Sequence, residues 1–363
     1  MKVIILANEY DNHTAPIQWA LEQAGYQVAC WAGLSWTPAQ QSALLLGRHT
    51  KVTLGPCSVE DGDVIWFRRL EPPVLNPGVS EADRKFAQTE SRAFYHCIAY
   101  LFETLPVWCI NKYSASRFIN NKAVQLRLAS GCGFKLPDTL LSNAPAAVKD
   151  FLEREARTVC KGFTPHVWQR QDEKSIAIAE TFELTRDQLP ADEVLTYAPC
   201  IYQDMVHKQF DVRTVLMGNR VYSYALHNPK GALDWRQDAG KGQIEVEIIA
   251  TPARVEKAIH DFARRAGICF GSFDFAVDMN GEWWFLEVNE QGQFLWLDQF
   301  SRNIRMQEKF CAFITAPEGS TQPLEDREGL FPPFGEYEKW VEQQETPPMA
   351  AAVPGSPYLS IES

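Results

Sequence analysis

The sequence predicts a mixed α/β (α+β) protein, a doubly wound α/β unit followed by antiparallel hairpins, and three observations carry that expectation. The first is a strand, loop, helix, strand order over residues 3–31. The second is a pair of strand-turn-strand patterns between residues 200 and 300, each with a two-residue turn signal. The third is bulk composition: 363 residues, 45% hydrophobic and 22% charged, suit a globular chain too long for one ordinary core. The net charge of −11 argues against broad attraction to nucleic acid or an anionic membrane, since both need basic surface. Any anionic substrate must then be met by a few local Arg and Lys.

Residues 3–7 read as a strand, followed by a loop with Asp11, Asn12 and His13, a helix over 16–23 ended by Gly25, and a strand over 26–31. That first loop lacks G-x-G-x-x-G, so no dinucleotide site is predicted. A strand over 63–69 precedes an amphipathic helix over 81–103. A helix over 121–130, closed by Gly131 and Gly133, leads to an extended segment 135–141, a helix over 146–155 and a strand over 157–162. A helix over 252–266 joins the two hairpins. From 316 onward the chain is rich in Pro, Glu, Gly and Ser, with only 336–344 helical, and reads as a mobile tail or a surface clasp. The expected division is therefore 1–111, 112–199, 200–315 and a 316–363 tail. The apolar run before Asn8 is too short for a signal peptide and no window spans a bilayer, which places the protein in the cytoplasm. Its nine Cys, with no C-x-x-C pair, read as reduced thiols, mostly buried.

In the later hairpin, residues 271–277 and 282–289 flank Asn280-Gly281, which favours a two-residue type I′ turn. Phe273 then faces Val288, Phe275 faces Leu286 and Val277 faces Trp284, making one side apolar. The other side sets Asp274 opposite Glu287, with Asn289 beside it. Like charges opposed on a ladder repel, so a cation is expected between them. A few oxygen ligands suit Mg²⁺ or Mn²⁺, and the alternative is a solvated polar face. In the earlier hairpin, 210–216 and 220–226 flank Gly218-Asn219 and set Arg213 opposite Tyr224. Arg213 is an anion clamp or the partner of Asp211 or another acid; Arg236, on the loop beyond, is a second clamp or plain surface. Lys122 follows the cap Asn120-Asn121 into a helix's first turn, where open N–H groups favour an anion. Lys161 ends an apolar strand and aims into a cleft. A P-loop is excluded, because G-x-x-x-x-G-K-[ST] is missing. Trp283, Trp284 and Trp296 read as a wall between subdomains.

The order Lys122, Lys161, Tyr202-Gln203-Asp204-Met205-Val206, Asp211-x-Arg213 and Asp274 ahead of Phe285-Leu286-Glu287-Val288-Asn289 resembles the ATP-grasp ligases over residues 110–300. Asn121-Lys122, the segment from Phe134 to Asn143, Asp234-Trp235-Arg236 and the run from Glu287 to Gln293 are similar to the microviridin-type, or graspetide, peptide ligases. Val64-Ile65-Trp66-Phe67-Arg68-Arg69 resembles that family's preceding (pre-ATP-grasp) domain. The resemblance implies that Lys122 and Lys161 hold ATP phosphates and that Gln203, Asp204, Met205 and Val206 form the hinge whose backbone reads adenine. It gives Asp211 the ribose, Asp274, Glu287 and Asn289 the Mg²⁺ ions, and Arg213 and Arg236 the transferred phosphoryl group. It further implies an ADP-forming ligase that activates Asp or Glu side chains of a ribosomally made precursor peptide, read through a leader segment, and closes ester or amide rings. A homodimer is expected on the same ground. Alternatives are a ligase adding one amino acid to a carboxylate and a nucleotide-binding subunit that only recruits a peptide. Residues 180–193 and Arg68-Arg69 are candidate peptide-reading surface or ordinary solvated charge. Asp204 stands where Glu is common, and Glu290-Gln291 replaces Pro-Asn before Gly292.

Overall fold

Lys2–Ile5, Gln27–Cys30, Val64–Trp66 and Trp108–Ile110 are strands of three or four residues rich in β-branched and aromatic side chains, and they form a wholly parallel sheet. Lys2–Ile5 and Val64–Trp66 occupy its centre. In this computed structural model, the described residues are 1–154, 157–164, 167–169, 176–178, 181–228, 244–316 and 325–344. The helix expected after the first strand runs Thr14–Gln23, and the long helix Glu81–Leu101 starts where the Ser80 side chain accepts the Asp83 N–H at 3.2 Å. A three-stranded antiparallel sheet, Ser42–Leu45, Lys51–Leu54 and Cys57–Val59, is an addition the sequence reading lacked. Its strands are three or four residues long, too short for a period-two pattern to stand out.

Two further antiparallel sheets follow. Four strands, in the order Phe182–Leu184, Thr158–Lys161, Cys200–Asp204 and Thr139–Ser142, form the smaller one. Five strands form the larger, in the order Glu245–Ile249, Arg220–His227, Lys208–Met217, Phe270–Asp278 and Trp283–Asn289. One face of the larger sheet is mainly apolar: Phe273, Phe275 and Phe285 pack with Phe134 and with Phe262 of helix Ala253–Ala266, and the hydroxyls of Thr214 and Ser223 on that face pair with each other at 2.9 Å. The opposite face is divided. Val215, Met217 and Tyr224 join a core shared with the parallel sheet and helix Met306–Ile314, whereas Asp211, Asp274 and Glu287 open into a cleft.

The Arg213 hairpin has the expected register, Arg213 opposite Tyr224 and Met217 opposite Arg220, with a left-handed Gly218 at the turn. The Asp274 hairpin corrects the reading near its turn. Asp274 faces Glu287 and Phe273 faces Val288 as expected, but Phe275 faces Phe285, Ala276 faces Trp284 and Val277 faces Trp283. Asp278 causes the difference: its Oδ1 accepts the N–H groups of Asn280 and Glu282, and Gly281 alone of the turn takes positive φ, +77°. The result is a wider loop closed by a left-handed Gly, not a type I′ turn, and a bulge at Leu286 restores the register before Glu287. Trp283 is therefore buried in the Phe core, Trp284 lies 4.0 Å under Lys135 Nζ, and Trp296 lies beside Arg213. The three Trp do not form one wall.

Asp298 anchors helix Met306–Ile314 by accepting the Met306 and Gln307 N–H groups at 2.7 and 2.9 Å. Burial raises its pKa to about 7, against the pull of those two amides and of Lys309. The folded chain thus holds this proton more tightly than an unfolded one, where Asp titrates near 3.9. Asp298 subtracts nothing from stability below the unfolded value, and subtracts progressively more as pH rises to about 7. Asp298→Asn is expected to remove that dependence. Its melting temperature relative to the parent should climb from pH 5 to pH 8 and then level off; a pH-independent difference contradicts the assignment.

Candidate functional site

The cleft between the two antiparallel sheets is lined by Lys161, Gln203, Asp204, Met205, Val206, Asp211, Asp274 and Glu287, eight of the residues singled out from the sequence. They arrive from separate elements. Thr158–Lys161 is an interior strand of the smaller sheet, and at its end Lys161 Nζ donates to Gln203 Oε1 at 3.2 Å. Gln203 is held in turn by donating to Thr139 Oγ1 at 2.9 Å. The segment after Gln203 is pinned from both sides, the Asp204 N–H on Asp138 O at 2.8 Å and the Met205 N–H on Arg157 O at 2.9 Å. Those two amides are thereby engaged by the chain's own carbonyls. Burial, with Asp138 nearby, raises the Asp204 pKa.

Lys122 stands at the first position of helix Lys122–Gly131, behind Asn121, whose side chain accepts the Val124 N–H. Its Nζ donates to Glu287 Oε2 at 2.8 Å. Arg213 lies directly across the ladder from Asp274, and its Nε is 3.2 Å from Asp274 Oδ1. Each opposed carboxylate therefore has its own cation. Of the alternatives for Arg213 the structure gives an ion pair with Asp274, while Asp211 pairs with Lys208 at 2.7 Å. Lys208 escaped the sequence reading because strict alternation from Asp211 puts it on the opposite face, and an irregularity between Lys208 and Phe210 turns it to the cleft side. Arg236 and its Asp234-Trp235 neighbours lie outside the described residues, as does most of the tail.

Asp274, Glu287 and Asn289 follow the expected side of the ladder, and Asn289 Oδ1 also accepts the Gln291 N–H at 3.2 Å. Among the described residues no group of three or more His, Cys, Asp or Glu stands ready to cage a metal. Two carboxylates and one amide oxygen are a hard, incomplete set that fits Mg²⁺, which fills its octahedron with waters and phosphate oxygens. The bulge at Leu286 lets both Leu286 and Glu287 line the cleft, setting an apolar side chain next to a carboxylate. Glu290 departs from the family pattern. It is a buried carboxyl held by Asn120 Nδ2 at 2.8 Å, and burial raises its pKa. The nine Cys are free thiols; Cys109, Cys160 and Cys311 are buried, Cys97 is exposed and the other five are half-buried, fewer buried than expected. No helix among the described residues is long and apolar enough to cross a membrane.

By sequence, no family model and no curated protein matches the chain. By structure, it is similar to a RiPP-associated ATP-grasp ligase of Chryseobacterium gregarium, solved with ADP and a leader and core peptide, at 20% identity and a TM-score of 0.75, covering 90% of this chain and 99% of that one. It is similar as well to the macrocyclase MdnC of Microcystis aeruginosa MRC bound to the precursor peptide MdnA, at 20% identity and TM-score 0.71, covering 87% and 99%. A third likeness is to the ATP-grasp ligase PsnB with a phosphomimetic variant of its minimal precursor, Mg and ADP, at 17% identity and TM-score 0.68, covering 88% and 99%. The fold is that of the ATP-grasp ligases. All three of those ligases were solved with a leader, core or precursor peptide.

Proposed function

We propose that this protein is an ADP-forming ligase that activates carboxylate side chains of a ribosomally made precursor peptide and joins them to hydroxyl or amine groups of the same peptide. The observation that carries this reading is one cleft in which lysine, hinge and hard oxygen donors from both antiparallel sheets meet. A carboxylate is a poor electrophile, and phosphorylation by ATP converts its oxygen into a leaving group. Lys122 and Lys161 would hold the phosphates, and Arg213 would steady the acyl phosphate, charge meeting charge in a partly dry site. Asp274, Glu287 and Asn289 would hold Mg²⁺, which when bound neutralises phosphate oxygens. Asp211 would take the ribose, and residues 203–206 the base. Arg236 would share with Arg213 the task of steadying the acyl phosphate. In this reading residues 1–111 precede the two ATP-grasp subdomains, 112–199 and 200–315, and the working form is a homodimer, checked by light scattering.

The test is intact mass spectrometry of an acidic candidate peptide incubated with the protein, ATP and Mg²⁺, with ADP measured alongside. Loss of one or more waters with matching ADP is the expected result. Gain of one amino-acid residue would replace this reading with single-residue addition. A peptide that binds yet shows neither mass change nor ADP would replace it with a recruiting subunit.

A further inference from the structure

Three neighbouring strands of the parallel sheet each carry, beyond their carboxyl ends, one polar side chain with no part in the cleft described above. These are His13 after Lys2–Ile5, Arg68 after Val64–Trp66 and Asn111 after Trp108–Ile110. In open α/β sheets this edge is where ligands bind. Here it grips residues 290–295, the loop that leaves Asn289. Arg68, 2% exposed and therefore not peptide-reading surface, donates from Nη1 to Gly292 O at 3.2 Å and from Nε to Asp11 Oδ1 at 3.0 Å. Asn111 donates to Glu290 O at 2.9 Å and to Phe270 O at 2.8 Å, and its Oδ1 accepts the Cys269 and Phe270 N–H groups. His13 Nε2 accepts the N–H groups of Phe294 and Leu295 at 3.0 and 3.3 Å.

Two amides converge on Nε2 while Arg68 Nη2, a donor only, lies 3.0 Å from Nδ1, so donors face both ring nitrogens and the neutral ring can accept at one of them. Burial, and then the Arg68 guanidinium 3.0 Å from Nδ1, hold the His13 pKa well below the usual range, so the ring stays neutral and able to accept. The gripped loop reaches the cleft within a few residues. Gln291 N–H donates to Asn289 Oδ1, and Gly292 N–H to Asn289 O, both at 3.2 Å. Trp296 Nε1 donates to Gln293 O at 2.8 Å, and its ring lies 6.0 Å from the Arg213 guanidinium.

We propose that His13, Arg68 and Asn111 are positioning residues: the carboxyl edge of the parallel sheet takes residues 290–295 where such folds take a ligand, and thereby orients Asn289 for its metal and Trp296 against Arg213. This rests on the reading of Asp274, Glu287 and Asn289 as metal donors. The test is calorimetric titration of ADP, with and without Mg²⁺, into the full chain and its His13→Ala, His13→Gln and Glu287→Gln variants, with melting temperatures recorded. A Gln amide oxygen can stand where Nε2 stands and accept the same amides. His13→Ala should weaken ADP binding in Mg²⁺ about tenfold or more, leave Mg²⁺-free binding within about twofold, and be largely rescued by His13→Gln. Wild-type affinity in His13→Ala, an equal loss without Mg²⁺, or a Gln variant no better than Ala would each overturn the proposal. If Glu287→Gln leaves the Mg²⁺ dependence of ADP binding unchanged, the metal-donor reading itself falls, whatever the His13 variants do.

Discussion

Glu287→Gln is expected to lower ADP formation by at least about 10²-fold, since a fixed charge that stabilises a transferring group in a partly dry site is worth that much or more. The fold should hardly notice. Glu287 sits at the cleft wall with 27% of its side chain exposed, and its ion pair with Lys122 is of the partly solvated kind that contributes about 0–1 kcal/mol. The Gln is close to isosteric and still accepts a hydrogen bond from Lys122. What it loses is the negative charge that a hard cation needs, so the change separates chemistry from stability. ADP formation in the presence of the modified peptide, read beside the melting temperature, checks this. A variant that melts like its parent and retains activity within about tenfold would remove Glu287 from the machinery. Lys122 shares in the expectation: to meet a phosphate it must leave Glu287, so nucleotide and Mg²⁺ should each bind more tightly when the other is present.

Gly292→Ala should be strongly destabilising for a single added methyl group. Gly292 has φ +62°, where an L side chain costs about 1 kcal/mol. A Cβ there would also lie 2.5 and 2.7 Å from ring carbons of Phe270. Phe270 cannot move aside, because it is fully buried with Phe294 and Phe310 at centroid distances of 5.4 and 4.9 Å. Overpacking of that kind costs about 1–3 kcal/mol, so a total loss of about 3 kcal/mol is expected in urea unfolding. Gly281→Ala supplies the control, since Gly281 has φ +77° but nothing within 4 Å of the added carbon. It should lose only the backbone share, and equal losses at the two positions would show that the Phe270 contact is not limiting.

The second half of the site was legible because strand parity carries it. Asp274, Glu287 and Asn289 share a side by alternation, and Arg213 follows from the Gly218-Asn219 turn. Parity failed where a local hydrogen bond outweighed a turn preference, at Asp278, and where a strand is irregular, at Lys208. The partners that quiet the paired acids were hidden for a different reason: Lys122 is 165 residues from Glu287 in sequence. His13, Arg68 and Asn111 were invisible as a group, for no pattern in a single sequence relates three loop ends to a fourth loop. Arg68 illustrates the cost of reading charge as surface, since a guanidinium with two good acceptors is at home in the interior.

The bulge at Leu286 has a consequence for how such a protein can change over time. With one extra residue on the ladder, an apolar side chain and an acidic one point the same way from adjacent positions, so a single backbone segment serves both a greasy and a charged neighbour. A substitution that reshapes the apolar half by moving the chain must drag the carboxylate with it. Selectivity for what lies above Leu286 and affinity for what lies beside Glu287 are thus not separately adjustable through this strand. Variation in one is expected to travel through the hinge residues 203–206, which press on the cleft from the other sheet and leave the acid where it is.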